Sequence, residues 1–487
     1  MFLGKKLYNV NFSKPRTSIL IFFAIFIVYL PAIWFSYLWS DDYSAYIKPT
    51  ETGRHAILDG RPLYGLAIEV FFSSVNSVGD LRFIRFVTLL LMYFLMFWVV
   101  NYLSTSMSRG QVVTYVLVAF SLPTWASVAF WGIAFVVPLS ALLSCIGLDF
   151  TIRGRPILKL LGLSLLISGG LIYPPATYFP LVIFFAREYF LKSSPRILGL
   201  KIIKGFFIVS ATLFITYILN KLVIVKISST QLNERYQFIA FNGLLEKSYF
   251  FATRLLVQSF RPFFISSPSI YLVILQFCSI LLIIILGIRL NYGTWRDAIR
   301  IFVILVLVLT LSLFPFLIAR DNQIEIRYFI ASSWLVSVIF LWSLWNIVIW
   351  TLKSRSNSKN ILESFSVLFK LGLPIFSLLL SWSFFFSIPY SVYHATSAFL
   401  KEELSKCQQL EIDKQILVKR RVETWPSKAN IGMGSQITDL ASEWVPLNAI
   451  LTIVDKKGNN KIEVLWAETG SVAKPTDCVV DLNRFKT

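Results

Sequence analysis

Residues 33–47 read IWFSYLWSDDYSAYI: a long apolar run stops, and two adjacent carboxylates, Asp41 and Asp42, follow it. The run begins near residue 17, behind the basic residues Lys5, Lys6, Lys14 and Arg16. At 17–39 it is long enough to cross a bilayer, and no A-x-A cleavage pattern follows it. The expectation is an uncleaved first transmembrane helix that brings the acidic pair to the membrane surface.

The rest of the chain extends this reading. Of 487 residues, 56% are hydrophobic and 15% charged, and the mean hydropathy is +0.69, values typical of a polytopic membrane protein. Further apolar runs lie near 84–104, 112–131, 132–151, 158–173, 176–191, 202–220, 268–288, 301–319, 328–350 and 371–393. With the first run they make eleven expected spans, with 158–173 and 176–191 short and almost fused. Pro31, Pro123, Pro138 and Pro315 fall inside runs, where neighbouring helices can satisfy the backbone groups a proline leaves free.

Charge gives the expected orientation. With the N-terminus cytoplasmic and the spans alternating, inner segments carry 20 Lys and Arg against the four acids Asp149, Glu188, Asp297 and Glu363. The outer loops (40–85, 221–267 and 320–327) carry 13 basic and 10 acidic residues, and the tail 394–487 carries 13 and 12. Thus +16 of the +20 net charge falls on the cytoplasmic side, the positive-inside pattern. The basic residues are dispersed over short loops, so the high pI does not indicate nucleic acid. The organisation expected is a transmembrane unit, 1–393, in a membrane-lipid environment, and a small periplasmic α+β unit, 394–487. In the tail, 398–421 has helical spacing, and AILTIVDKKGNNKIEVLW (449–466) reads as two strands about a Gly-Asn turn. Cys145 and Cys278 lie in apolar runs and are expected to pack; Cys407 and Cys478, in an exported tail, are candidates for a disulfide.

The long first outer loop holds the candidate chemistry. After Pro62, Leu63, Leu66, Ala67, Val70 and Phe71 recur at helical spacing, as in a helix lying on the membrane surface. A carboxylate at that depth can accept a proton from an attacking hydroxyl, and two adjacent carboxylates disfavour joint ionisation. The bland alternative is a pair of solvated charges marking the helix end. The pair could also hold a divalent cation, though two carboxylates make a thin metal site, and none is expected. Arg54, His55 and Arg61 share the loop; Arg235, Arg254 and Arg261 lie in the second long loop, and Arg320 and Arg327 flank a third. Arg forks suit phosphate oxygens, although each alone is also what a snorkelling or salt-bridged residue looks like. In GGLIYPPATYFP (169–180), Gly169, Gly170, Pro174 and Pro175 are expected to break two runs, with Tyr173 and Tyr178 around the break. There is no Walker A sequence and no G-x-G-x-x-G, and only two histidines, His55 and His394, occur. A reaction on the outer face would need a donor already there; a lipid-linked one would suffice.

These features together resemble the GT-C superfamily of integral-membrane glycosyltransferases. SDDY (40–43), DGRPLYGL (59–66), YPPATYF (173–179) and IRYF (326–329) are similar to the bacterial type II serotype-converting O-antigen glucosyltransferases. The resemblance covers about residues 15–390. It departs at Pro174, where such proteins have Gln after the Tyr. It implies an inner-membrane enzyme that takes a sugar, commonly glucose, from polyprenyl phosphate on the periplasmic face. The acceptor would be a lipid-linked O-antigen saccharide of lipopolysaccharide, and the anomeric carbon would invert. It further implies Asp41 or Asp42 as base, Arg61 as loop support or phosphate contact, Tyr173 in the cavity wall and Arg327 facing the donor phosphate. Phosphate is a good leaving group, so positioning, a base and cations are what such a reaction requires. The competing readings are an enzyme of the same layout with another sugar or a polymerising activity, a transporter or flippase of a lipid-linked sugar, and a non-catalytic scaffold. Charges cluster at span ends and no inverted repeat is visible, which weighs against transport.

Overall fold

The computed structural model describes residues 15–37, 42–228, 243–263, 270–318, 326–353, 358–386, 416–419, 464–467 and 478–481. It is a helical membrane protein. The first run is helical over α1 (Pro15–Val28) and α2 (Leu30–Trp34), with a break at Tyr29 ahead of Pro31. Three short helices follow: α3 (Asp42–Ile47), α4 (Pro49–Leu58) and α5 (Pro62–Ser73). Then come α6 (Leu81–Leu103), α7 (Arg109–Phe120), α8 (Pro123–Phe130), α9 (Val137–Arg153), α10 (Pro156–Ile172), α11 (Phe179–Phe190) and α12 (Pro195–Ser228). Next are α13 (Leu244–Phe250), a π-helical turn (Phe251–Leu256), α14 (Val257–Ser259), α15 (Ile270–Tyr292), α16 (Trp295–Ser312) and α17 (Phe314–Ile318). The helical part ends with α18 (Ile330–Lys353) and α19 (Ser358–Phe385).

The described residues do not support the expected eleven spans. Among the described residues five helical stretches are long and apolar enough to cross a membrane: Val78–Leu103, Gly132–Arg153, Pro195–Leu222, Ile274–Tyr292 and Ile330–Leu352. A sixth is the pair α7 and α8, bent by 67°. Proline accounts for much of the difference. Pro123 opens α8 after the bend, and Pro174 and Pro175 end the run of α10 in a 3-10 turn (Pro174–Tyr178) before α11. At 17 residues α10 is only about 25 Å long, short of a ~30 Å hydrocarbon core. Contrary to the expectation from sequence, Gly169 and Gly170 do not break it. They lie within α10, where a Cβ on Gly169 would meet Ser140 O of α9 at 3.1 Å and one on Gly170 would meet Leu213 and Thr216 of α12 at 3.0 Å. Small residues here let neighbouring helices approach closely.

The helix expected after Pro62 forms, but its buried face is not the stripe read from sequence. Tyr64, Gly65, Ile68 and Phe72 are buried, whereas Leu66 and Val70 are 50% and 67% exposed. The helix is apolar on both sides: one packs inward, with Phe71 and Phe72 near the ring of Phe135, and the other is free for lipid. The loop before it is also helical, as α4. The two helices meet at Gly53 and Gly65: a Cβ on Gly65 would lie 2.3 Å from Gly53 O.

In the tail three strands, β1 (Ile416–Lys419), β2 (Val464–Ala467) and β3 (Cys478–Asp481), pair in parallel in the order β2-β1-β3. Ile416–Lys419 is therefore a strand where helical spacing was read, its ILVK run outweighing the charged pattern around it. The first strand of the expected hairpin, the expected helix before residue 416 and Cys407 lie outside the described residues. Cys145 is buried in α9, as expected, but Cys278 is exposed on α15.

Candidate functional site

Asp42 begins α3 and is fully buried. Its Oδ1 accepts from the N–H of Ile133 at 2.8 Å and its Oδ2 from the N–H of Gly132 at 3.2 Å. Both donors belong to a 3-10 turn (Gly132–Ala134) between α8 and α9. A Cβ on Gly132 would lie 3.0–3.2 Å from the three carboxylate atoms, so the side chain and the turn are in tight register. On the other side Arg85 Nη2, on α6, lies 3.4 Å from Oδ2 and is likewise fully buried. The same nitrogen donates to Tyr37 O at 2.6 Å, and the guanidinium carbon sits 3.6 Å from the centre of the Tyr37 ring. Backbone N–H groups satisfy the Asp42 carboxylate, whereas Arg85 donates through Nη2 alone, its Nε and Nη1 being buried without a hydrogen-bond partner among the described residues.

Two phenols complete the clamp. Tyr37 Oη donates to Phe130 O at 2.8 Å, and Tyr64 Oη donates to Ile133 O at 2.7 Å. The segment 130–133 is thus held by three side chains, from the end of the first run, from α3 and from α5. A 3-10 turn (Val78–Asp80) leads into α6, and Asp80 closes its capping box: Oδ2 accepts from the N–H groups of Asn76 and Ser77, each at 2.9 Å.

DGRPL has a local account. Gly60, with φ of 70°, is the left-handed residue that ends α4; its N–H donates to Ile57 O and that of Arg61 to Ala56 O, a Schellman closure. Pro62 then opens α5, where a missing N–H costs nothing. Arg61 Nη2 pairs with Asp59 at 2.9 Å, and its guanidinium lies 5.4 Å from the centre of the Tyr64 ring. Asn220 of α12 reaches in to donate to Gly60 O at 2.6 Å.

The structure therefore joins two of the residues chosen from sequence: Arg61 contacts Tyr64, which holds Ile133, which holds Asp42. Asp41, its neighbour in sequence, lies outside the described residues, as does Arg320. Arg54 and His55 are exposed on α4 and are not drawn into the clamp. Tyr173 caps α10 and is buried, its carbonyl 3.0 Å from Ser140 Oγ of α9. Arg261 is buried beyond α14, 3.4 Å from Gln258 Oε1, and burial lowers its pKa from the ordinary arginine value. Arg327 belongs to a 3-10 turn (Ile326–Phe329) that packs against α8; its side chain lies outside the described residues.

Sequence reasoning missed Arg85, Tyr37, Tyr64, Asn220 and the turn at Gly132. Arg85 had one visible sign: it stands at the edge of the apolar run 84–104, where a charge drawn into the bundle is costly without a partner. Chemically, Asp42 is a fixed anion whose oxygens face N–H donors and a guanidinium, a setting that suits an anchor better than a metal ligand. Among the described residues no three His, Cys, Asp or Glu side chains cluster in a way that could hold a metal ion. Comparison with protein-family models, with curated proteins and with solved structures finds no significant match to this chain.

Proposed function

We propose that this chain is an inverting glycosyltransferase of the inner membrane, moving glucose from polyprenyl phosphate to a lipid-linked O-antigen saccharide on the periplasmic face. The observation that supports the reading is the burial of Asp42 against the Gly132–Ile133 turn and Arg85. A reaction between a lipid-held donor and a bulky acceptor needs its base at a fixed depth, and the clamp anchors the chain immediately next to Asp41. On this reading Asp42 is a positioning residue and Asp41 is the base. The Asp41 carboxylate takes the proton of the acceptor hydroxyl. The hydroxyl oxygen bonds to the anomeric carbon as the bond from that carbon to the phosphate oxygen breaks, and polyprenyl phosphate leaves with the electron pair. Attack opposite the leaving group inverts the centre. Arg261 and Arg327 are the cations offered to the phosphate, and the lipid-facing side of α5 lies where a polyprenyl chain would pass.

The test compares Asp41→Asn and Asp42→Asn at matched membrane levels, reading transfer of labelled glucose from polyprenyl phosphate to lipid-linked O-antigen. The expected result is a fall of about 100-fold or more for Asp41→Asn in a protein that still folds, the lower end for loss of acid–base catalysis. Asp42→Asn is expected to lower the yield of folded protein. Full transfer by Asp41→Asn would overturn the assignment of the base. A wild-type protein that flips the lipid-linked sugar and transfers none would overturn the reading itself.

A further inference from the structure

Between α1, α7 and α19 lies an open groove of about 910 Å³. Its rims carry Phe23 and Ile27 of α1 and Ile375 of α19, all more than half exposed, and Val113 and Leu117 of α7 form its floor. One charged side chain lines it, Arg109, the first residue of α7. Arg109 Nη2 donates to Asn101 Oδ1 at 3.2 Å, while its Nε, shielded from solvent, has no partner among the described residues. The N-cap Ser108 gives its hydroxyl to Gln111 Oε1 and accepts from no helix N–H, so the first N–H groups of α7 carry no side-chain cap beside Arg109.

The depth of this cation follows from α6. Arg85 sits near one end of that helix and Asn101 near the other, 16 residues on, or roughly 24 Å at 1.5 Å per residue. Arg109 therefore lies at the opposite membrane surface from Asp42, at headgroup level, with the apolar groove running from it toward the membrane centre. An acyl-chain-sized slot ending in an arginine and a helix N-terminus matches a lipid with a negative headgroup. We propose that this groove is a binding site for an anionic phospholipid, one acyl chain lying along Val113 and Leu117 and the phosphate on Arg109. This inference rests on the membrane-spanning fold and not on the proposed sugar transfer.

The experiment is native mass spectrometry of the full chain in mild detergent, with phosphatidylglycerol or phosphatidylcholine added at equal concentration. A retained phosphatidylglycerol adduct that exceeds the phosphatidylcholine adduct is expected. Arg109→Gln should lower the phosphatidylglycerol-bound fraction about fivefold, the effect of one surface cation on an anionic lipid. Arg109→Lys should keep it, and Val113→Trp, which fills the floor, should lose it. Equal adducts for the two lipids, or adducts unchanged in both Arg109→Gln and Val113→Trp, would overturn the proposal. So would protection from thermal unfolding by inorganic phosphate equal to that by phosphatidylglycerol, or a dimer whose formation Val113→Trp abolishes.

Discussion

Asp42 and Arg85, 43 residues apart in sequence, meet at 3.4 Å with neither side chain exposed. Removing one partner of such a pair leaves a buried charge alone, whereas removing both removes the cost as well. Arg85→Met is therefore expected to destabilise the protein by about 3–5 kcal/mol, and Asp42→Asn by a smaller amount because the amide oxygen can still accept from Ile133. The double variant should recover part of the loss. Thermal unfolding in detergent measures all three, and strictly additive effects would refute the coupling.

Tyr64→Phe removes one hydroxyl and leaves the carbonyl of Ile133 short of a donor. The expected loss is about 1–3 kcal/mol. If the clamp positions the acidic pair, glucose transfer should fall at temperatures where the protein remains folded. Unchanged transfer with unchanged melting would make the bond incidental.

Asn220→Ala tests the outer grip on the α4–α5 turn. Gly60 O would lose its side-chain donor in a buried setting, a cost of about 1–3 kcal/mol. Limited proteolysis should show faster cutting near residue 60 than in the wild type, with the cutting elsewhere unaltered.

Gly65→Ala places a methyl group against Gly53 O, where the atom in the way is backbone and cannot rotate aside. Overpacking of this kind costs about 1–3 kcal/mol. The α4–α5 pair should separate, read as raised deuterium uptake over 49–73, and Gly53→Ala should do the same from the other side.

Much of the outline was legible in the sequence. The end of the first run, the acidic pair and the helix after Pro62 are marked by abrupt changes in hydropathy and by the 3.6-residue period. The facing of that helix was not legible, because α5 is apolar on two sides and periodicity ranks only the stronger stripe. The span count misled because an apolar run does not distinguish one straight helix from two short ones, and Pro123, Pro174 and Pro175 turn the chain where hydropathy continues. The partners of Asp42 were hidden for a different reason. Gly132 and Ile133 act through their peptide N–H groups, which every residue except proline has, and Arg85 counted only as one more outer cation. Asn220, embedded in α12, has no local pattern that points to a turn so distant in sequence.

The clamp also imposes an order in time. Asp42 is held by groups 43 to 91 positions further along the chain, and Gly60 by a side chain 160 positions further. As the protein is threaded into the membrane, the first outer loop is delivered early and secured late. Until α6 and the α8–α9 turn have been inserted, Asp42 remains a charge in water without its partners. Insertion of those later elements is what withdraws it from solvent, and the α4–α5 turn is secured only after α12 has arrived.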